Sequence, residues 1–134
     1  MVFFNDSSII SSSPERLVSI KDSILETRPI AGTRPRGKTI KEDRFYEKDL
    51  LRDKKELSEH LMLLDLGRND AGKVSKTNSI KVTESFIIER YSHVMHIVSN
   101  VIGKHDKRFS KFKSLLAGFP AGTCLLYTSP SPRD

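Results

Sequence analysis

The chain of 134 residues has a single cysteine, no long apolar run and no signal-peptide pattern at its N-terminus. Because Cys124 has no partner for an internal disulfide, a reducing cytoplasm is the expected compartment. No apolar segment approaches the roughly 20 residues that cross a bilayer. The N-terminus also lacks a basic segment followed by an apolar stretch, so export is not expected. These absences predict a cytoplasmic protein without a membrane partner.

Positive charge is in modest excess, with 23 Lys and Arg against 17 Asp and Glu and a net charge of +6. The basic residues are spread among the acidic ones, a pattern typical of a solvated surface. We therefore expect no nucleic-acid partner. The alternative is a basic binding module that uses TRPRGK and KHDKRFSKFK, and it predicts a steeply salt-dependent affinity for DNA or RNA.

The length and the apolar pattern predict one α+β domain without internal repeats. Short strands are expected within residues 1–30, with a hairpin turn at Lys21-Asp22. The run AGTRPRGK, residues 31–38, contains two glycines and a proline and is predicted to be a loop. The other predicted elements are two helices between Glu42 and Asp70, strands at Ile80–Val82, Phe86–Arg90 and Tyr91–Ile102, and a helix from about Lys107 to Ala117 with an apolar stripe of Phe109, Phe112, Leu115 and Leu116.

A pair of carboxylates stands out on the second predicted helix. Asp53 followed by Glu56 resembles a capping box, which would start this helix near Lys54 and let it run to about Arg68. Glu56 and Glu59 are then one turn apart and able to hold a hard cation such as Mg²⁺ through oxygen. The alternative is a solvated acidic helix face. Spacing alone favours that alternative, because such pairs are common on surfaces.

A histidine-containing strand is the other chemically unusual segment. Val94, His96 and Val98 would share one strand face, where a histidine is by default a satisfied core residue. A transition-metal site formed by His60, His93 and His96 with the two glutamates is disfavoured, because no two histidines have the helical spacing of a zinc motif. Glu15, after a proline, is by default a loop carboxylate. The residue types and their spacing alone therefore predict no more than an anion and Mg²⁺ site.

The last eleven residues, CLLYTSPSPRD, break with the pattern before them. A short apolar run is followed by Ser-Pro repeats without periodicity. This tail resembles the translated read-through of a sequencing adaptor. We therefore divide the chain into a partial domain at residues 1–123 and a foreign-looking, artefactual tail at residues 124–134.

Five segments, in order and in spacing, resemble the chorismate-utilising enzymes, and most closely the large subunits (component I) of anthranilate synthases. The segments are SSSPERL, ETRPIAGTRPRG, DKKELSEHLMLLDLGRND, RYSHVMHIVSNVIG and FPAGT. They cover roughly Ile9 to Thr123, which is less than half of the family's catalytic domain. The resemblance implies a fragment of a fold in which helices surround two packed β-sheets.

The resemblance also implies a function. The anthranilate synthases of this family are lyases that convert chorismate and ammonia to anthranilate and pyruvate with Mg²⁺, in tryptophan biosynthesis. A glutamine amidotransferase subunit (component II) supplies the ammonia. The ring hydroxyl of chorismate is a poor leaving group, so an acid must protonate it while a cation polarises the conjugated carboxylate.

The matched positions imply roles for individual residues. Glu15 falls on the family's general acid, and His96 falls on the histidine associated with pyruvate elimination. Gly32, Thr33 and Thr123 fall on positions that contact the substrate.

Two further matched positions concern the metal. Glu59 falls on a Mg²⁺ ligand and Glu56 on a second carboxylate beside it. Thr123 is not followed by the family's serine-glycine-alanine-proline-lysine stretch, nor by the strands that supply the remaining metal glutamates. We therefore expect the isolated chain to be inactive.

One position separates the branches of the family. Aminodeoxychorismate synthases typically carry a nucleophilic lysine where this chain has Ala31. A methyl group cannot attack the substrate ring, which favours anthranilate synthase. Aminodeoxychorismate synthase and isochorismate synthase remain the alternatives.

Overall fold

The computed structural model describes residues 2–3, 6–10 and 15–119. Thr123 and the tail at residues 124–134 lie outside the described residues, so the predictions made for them stay predictions. The α+β prediction is confirmed by a mixture of antiparallel strands and helices. The elements are β1 (Val2–Phe3), β2 (Ser8–Ile9), β3 (Arg16–Lys21), β4 (Ile24–Arg28), β5 (Ile30–Pro35), α1 (Ile40–Leu50), α2 (Lys54–Val74), β6 (Lys81–Arg90), β7 (Val94–Lys104) and α3 (Lys111–Ala117).

The long strand β7 organises the main sheet. It pairs along one edge with β6, and along the other edge with β5 and then β4, while β3 pairs with the outer edge of β4. All of these pairings are antiparallel. The short strands β1 and β2 form a separate two-stranded sheet. Because β4 and β5 follow one another along β7, one continuous stretch of chain brings both to the same neighbour.

The predicted hairpin turn is present one residue later than expected. Asp22 and Ser23 both have positive φ angles, 51° and 63°, between β3 and β4. Two successive residues with positive φ make the tight turn whose twist matches that of the flanking strands.

The prediction of a loop at residues 31–38 is wrong for its first half, which forms β5. Gly32 has a φ of +73° and lies where the register of β5 against β7 shifts, between Ala31 and Thr33. The glycine thus forms an irregularity within the strand. Pro35 is the last residue of β5, which among the described residues pairs only with β7, and such an edge strand tolerates a missing backbone N–H. Both apparent strand breakers therefore occupy places that a strand allows.

Local capping explains where the two long helices begin. Thr39 and Glu42 form a full capping box at the start of α1. Asp53 caps α2 by accepting hydrogen bonds from the backbone N–H groups of Lys55 and Glu56, which confirms the predicted start at Lys54. The helix continues to Val74, six residues beyond the predicted end, and buries its last apolar residue against the sheet.

The core lies between α1, α2 and one face of the sheet. One cluster joins Leu64 and Val74 of α2 to Leu25 and Val101 of the sheet. A second cluster joins Leu50, at the end of α1, to β7 through Met95 and Ile97. Full burial of each such side chain contributes about 1.5–3 kcal/mol relative to exposure. These clusters hold both helices on the same side of β7.

Two predicted strands and the final helix need correction. The strands expected at Ile80–Val82 and Phe86–Arg90 are one strand, β6, with register shifts and a positive φ of 54° at Phe86. The strand expected at Tyr91–Ile102 begins later, at Val94.

The final helix begins at Lys111 and not near Lys107, because Ser110 caps it. Most of its predicted apolar stripe is exposed, since Phe112, Leu115 and Leu116 are 68%, 44% and 48% exposed, whereas Phe109 is partly buried and packs against the first core cluster. Ser114 is instead the side chain that this helix buries. None of the described helices is long and apolar enough to cross a membrane.

Candidate active site

The pleat of β7 separates two sets of side chains. Met95 and Ile97 pack into the core with Leu50, so they face α1 and α2. His96 lies between them in sequence and therefore points to the opposite face of the sheet. Thr33 is its cross-strand partner on β5 and shares that face.

Three of the predicted site residues meet at this point. Nδ1 of His96 lies 3.0 Å from Oγ1 of Thr33 and 3.2 Å from the backbone carbonyl oxygen of Gly32. The rings of Tyr91 and His96 are in T-shaped contact, with 5.5 Å between the ring centroids. The structure thus brings together Gly32, Thr33 and His96 from two strands that are more than 60 residues apart in the chain.

Glu56 approaches the same glycine from the helical side. A Cβ atom added at Gly32 would lie 3.2 Å from Oε2 of Glu56 and 3.1 Å from Cδ1 of Leu50. Oε1 of Glu56 lies 3.9 Å from Nη1 of Arg34. The absence of a side chain at Gly32 therefore leaves room for this carboxylate at the start of α2.

Glu59 lies one turn further along α2 and is more exposed. Its side chain is 44% exposed, against 23% for Glu56, and Oε1 lies 3.7 Å from Nζ of Lys55. The predicted one-turn spacing of the two glutamates on a helix is confirmed.

The two glutamates fit part of a magnesium site. Mg²⁺ prefers oxygen ligands and is commonly held by one or two carboxylates, with water and substrate completing its shell. Glu56 and Glu59 supply carboxylate oxygens on neighbouring turns. Within residues 15–119, however, no group of three His, Cys, Asp or Glu side chains is placed to hold a metal. The described residues therefore provide an incomplete ligand set that suits Mg²⁺ in its chemistry.

Glu15 borders a different part of the surface. It precedes β3 and lines a cavity of about 70 Å³ together with residues of β3, β4 and α2, among them Leu63, Gly67 and Asp70. The lining of this cavity includes neither Glu59 nor His96. A common site for Glu15, Glu59 and His96 is thus not seen among the described residues, and the role of Glu15 stays a prediction.

The arginines of the GTRPRG segment are paired, which sequence patterns did not reveal. Arg34 donates to Asp49 at 2.6 Å and to Asp53 at 2.9 Å, so it ties the end of α1 to the cap of α2. Arg36 donates to Asp43, and this hydrogen bond lowers the pKa of the Asp43 carboxyl below its usual value. Their charges are neutralised within the chain, which weakens the nucleic-acid alternative.

Tyr91, Glu89 and Arg28 form a network of hydrogen bonds and an ion pair beside His96. The hydroxyl of Tyr91 donates to Oε2 of Glu89 at 2.7 Å, and Arg28 pairs with Oε1 of the same carboxylate. Burial opposes ionisation of Glu89, but the hydrogen bonds from Tyr91 and Arg28 outweigh it and lower its pKa. The hydrogen bond to Glu89 raises the pKa of Tyr91. Glu89 is thus an anion that anchors the tyrosine.

His60, next to Glu59, entered the sequence analysis only as part of a disfavoured transition-metal site, and the structure gives it a different place. His60 is fully buried, and its Nε2 lies 2.7 Å from Oγ of Ser99. The same serine oxygen accepts a hydrogen bond from the backbone N–H of Phe86 at 3.0 Å. Burial lowers the pKa of His60 to about 4. Through Ser99, this neutral imidazole joins α2 to β7 on the helical side of the sheet.

Comparison with known proteins connects this arrangement to one family. Residues 1–125 match the family described as chorismate binding enzyme. Anthranilate synthase component 1 of Cereibacter sphaeroides is 59% identical over 125 residues, which are 92% of this chain and 25% of that protein. The chain thus spans about a quarter of the length of the curated relatives it matches.

Solved structures agree with the family match. Anthranilate synthase component I from Streptococcus pneumoniae has a TM-score of 0.74 and 44% identity, over 85% of this chain and 24% of that chain. MenF, the menaquinone-specific isochorismate synthase from Escherichia coli, has a TM-score of 0.71 and 22% identity over 83% of this chain and 25% of that chain, a likeness that shows the fold alone. The predicted fold, a fragment of the chorismate-utilising fold, is confirmed. The chain belongs to the chorismate binding enzyme family.

Proposed function

We propose that this chain forms part of the catalytic domain of an anthranilate synthase large subunit, which converts chorismate and ammonia to anthranilate and pyruvate. The observation that carries the proposal is the 59% identity, over 125 residues, to an anthranilate synthase component 1. Ala31 supports this branch, because a methyl group cannot replace the nucleophilic lysine expected in aminodeoxychorismate synthases.

The proposed roles follow the chemistry of the reaction. Loss of the ring hydroxyl requires a proton donor, for which we propose Glu15, and elimination of pyruvate requires a proton-transfer group, for which we propose His96. The Thr33 hydroxyl and the backbone at Gly32 would contact the substrate, together with Thr123. The pairing of Thr33 with His96 supports a common position for two of these roles.

The proposal includes Mg²⁺, held by Glu59 with Glu56 beside it. When bound, Mg²⁺ would neutralise the substrate carboxylate and polarise the conjugated ring system. Arg34 contacts Glu56 at 3.9 Å and also holds the cap residue Asp53, so it would keep this end of α2 in place. The partner would be a glutamine amidotransferase that delivers ammonia, and the setting would be tryptophan biosynthesis in the cytoplasm.

A chimera tests the function. Residues 1–123 of this chain replace the matching segment of the Cereibacter sphaeroides relative, and anthranilate fluorescence is measured with chorismate, ammonium and Mg²⁺. We expect anthranilate from the chimera and none from the 134-residue chain alone. A folded chimera that forms isochorismate, aminodeoxychorismate or no product would contradict the proposal.

Matched variants of the chimera test the metal role. We expect Glu59→Gln to raise the Mg²⁺ concentration needed for half-maximal rate at least about tenfold. Asp65→Asn is the control, because Asp65 is an exposed carboxylate of the same helix that pairs only locally with Arg68. Equal behaviour of the two variants would argue against a metal role for Glu59.

A further inference from the structure

The hydrogen bonds of the His96 ring identify which of its nitrogens carries the proton. Nδ1 lies near two oxygens, the carbonyl of Gly32 at 3.2 Å and the hydroxyl of Thr33 at 3.0 Å. A backbone carbonyl can only accept, whereas a hydroxyl can accept or donate. A proton on Nδ1 satisfies both contacts. A lone pair on Nδ1 would satisfy only the hydroxyl and would face the lone pairs of the carbonyl.

The neutral ring is therefore protonated on Nδ1, and Nε2 carries the lone pair. Among the described residues no hydrogen bond occupies Nε2. When Nδ1 donates to Thr33 Oγ1, the O–H of Thr33 is left to donate elsewhere. The same small cluster thus offers a proton acceptor on His96 and a hydrogen-bond donor on Thr33, a combination that suits a ligand with anionic oxygens and a proton to transfer.

Tyr91 packs beside the His96 ring. Its ring stands at 63° to the imidazole, with 5.5 Å between the centroids. Its hydroxyl is bonded to Glu89, which Arg28 holds as an anion, and its backbone N–H donates to the carbonyl of Val94 at 2.8 Å. The tyrosine is therefore held at both its hydroxyl and its backbone, and its ring stays in T-shaped contact with the imidazole.

We propose that Tyr91 is a positioning residue for His96, which it holds in the tautomer protonated on Nδ1 so that Nε2 is the atom presented to the ligand. This proposal extends the proposed function. It rests on that function only in stating that a ligand contacts Nε2. The tautomer itself is a property of the chain without any ligand.

Nitrogen NMR of the chimera, labelled with ¹⁵N in histidine, tests the tautomer directly. The His96 signals are assigned by their loss in His96→Gln and are read at about pH 8.5, above the ordinary titration range of histidine. We expect a protonated Nδ1 in the unmodified protein and a mixture of tautomers in Tyr91→Leu. Tyr91→Phe, which keeps the ring and removes only the hydroxyl, should lie between them. Tyr46→Phe removes a hydroxyl from α1 and should change nothing.

Kinetics of the same variants separate positioning from folding. We expect Tyr91→Leu to lower kcat by about tenfold while KM for chorismate stays within about twofold, because a displaced proton-transfer group loses part of its contribution. A His96 protonated on Nε2, or a Tyr91→Leu variant with an unchanged tautomer and kcat, would overturn the proposal. If the chimera makes no anthranilate, the proposed function fails, but the NMR result still decides the tautomer.

Discussion

Acidification should destabilise this chain chiefly through one histidine. His60 is fully buried between α2 and β7, with Nε2 at 2.7 Å from Ser99 Oγ. Burial disfavours its charged form and lowers its pKa from the ordinary 6.5 to about 4. Within residues 15–119, Nδ1 of this ring has no hydrogen-bond partner, so an imidazolium, which carries a proton on both nitrogens, would leave one N–H unpaired.

The sign and the size of the effect follow from these two pKa values. Between pH 6.5 and about 4 the unfolded chain binds a proton at His60 that the folded chain does not bind. The contribution of His60 is therefore fully present above the unfolded pKa and is lost as the pH falls toward 4. A shift of this size corresponds to about 3 kcal/mol in the free energy of unfolding. The carboxyls with lowered pKa, such as Asp53 and Asp106, lose their contributions only below their own ordinary values near 4.

Urea unfolding, followed by far-ultraviolet circular dichroism at several pH values, measures the effect. With a slope of about 1.5 kcal/mol per M, the midpoint should fall by about 2 M between pH 7 and pH 4. His60→Gln removes the titrating ring and keeps a polar group for Ser99, so its midpoint should change much less over this range. His93→Gln, at an exposed position, is the control. An equal loss of midpoint in His60→Gln and in the unmodified chain would refute this account.

Two further predictions concern stability, both measured as the free energy of unfolding in urea. Gly32→Ala should destabilise the chain by about 1–3 kcal/mol, because a side chain at φ +73° is strained and would meet Leu50 at 3.1 Å. Gly72→Ala, at a position in α2 with open space around it, should instead stabilise the chain by about 0.8 kcal/mol. Equal effects of the two substitutions would contradict this reasoning. Asp53→Ala should lower the free energy of unfolding by about 1–2 kcal/mol, because the helix cap is lost. Asp53→Asn should lower it less, because asparagine keeps the cap and removes only the charge paired with Arg34. A larger decrease in Asp53→Asn would show that the ion pair dominates.

The helical part of the candidate site could be predicted because its signals are local. Asp53 and Glu56 lie three residues apart, and a cap acts within the first turn, so the start of α2 follows from a few neighbouring residues. The placement of Glu56 and Glu59 on successive turns needs only the helical repeat. The end of the helix was less predictable, because it depends on the packing of Val74 against the sheet.

The strand part of the site was harder to predict because its signals are not local. Gly32 and Pro35 resemble strand breakers when the chain is read alone. Once β7 provides a partner, the glycine fits a register shift and the proline fits a strand end. The apolar stripe of α3 shows the opposite case, since a correct helical period did not imply burial. Phe112 remains largely exposed and Ser114 faces the interior.

The sequence by itself determined the family resemblance, the α+β class and the spacing of the two helical carboxylates, because motif order, caps and helical repeats depend on residues close together in the chain. Only the tertiary structure decided that Thr33 pairs with His96, that the Gly32 carbonyl meets the imidazole, and that Tyr91 is anchored beside it. These contacts depend on strand register and on the choice of neighbouring strands. The free energy that selects them comes from burying the opposite face of β7 against α1 and α2, which no local pattern near His96 encodes.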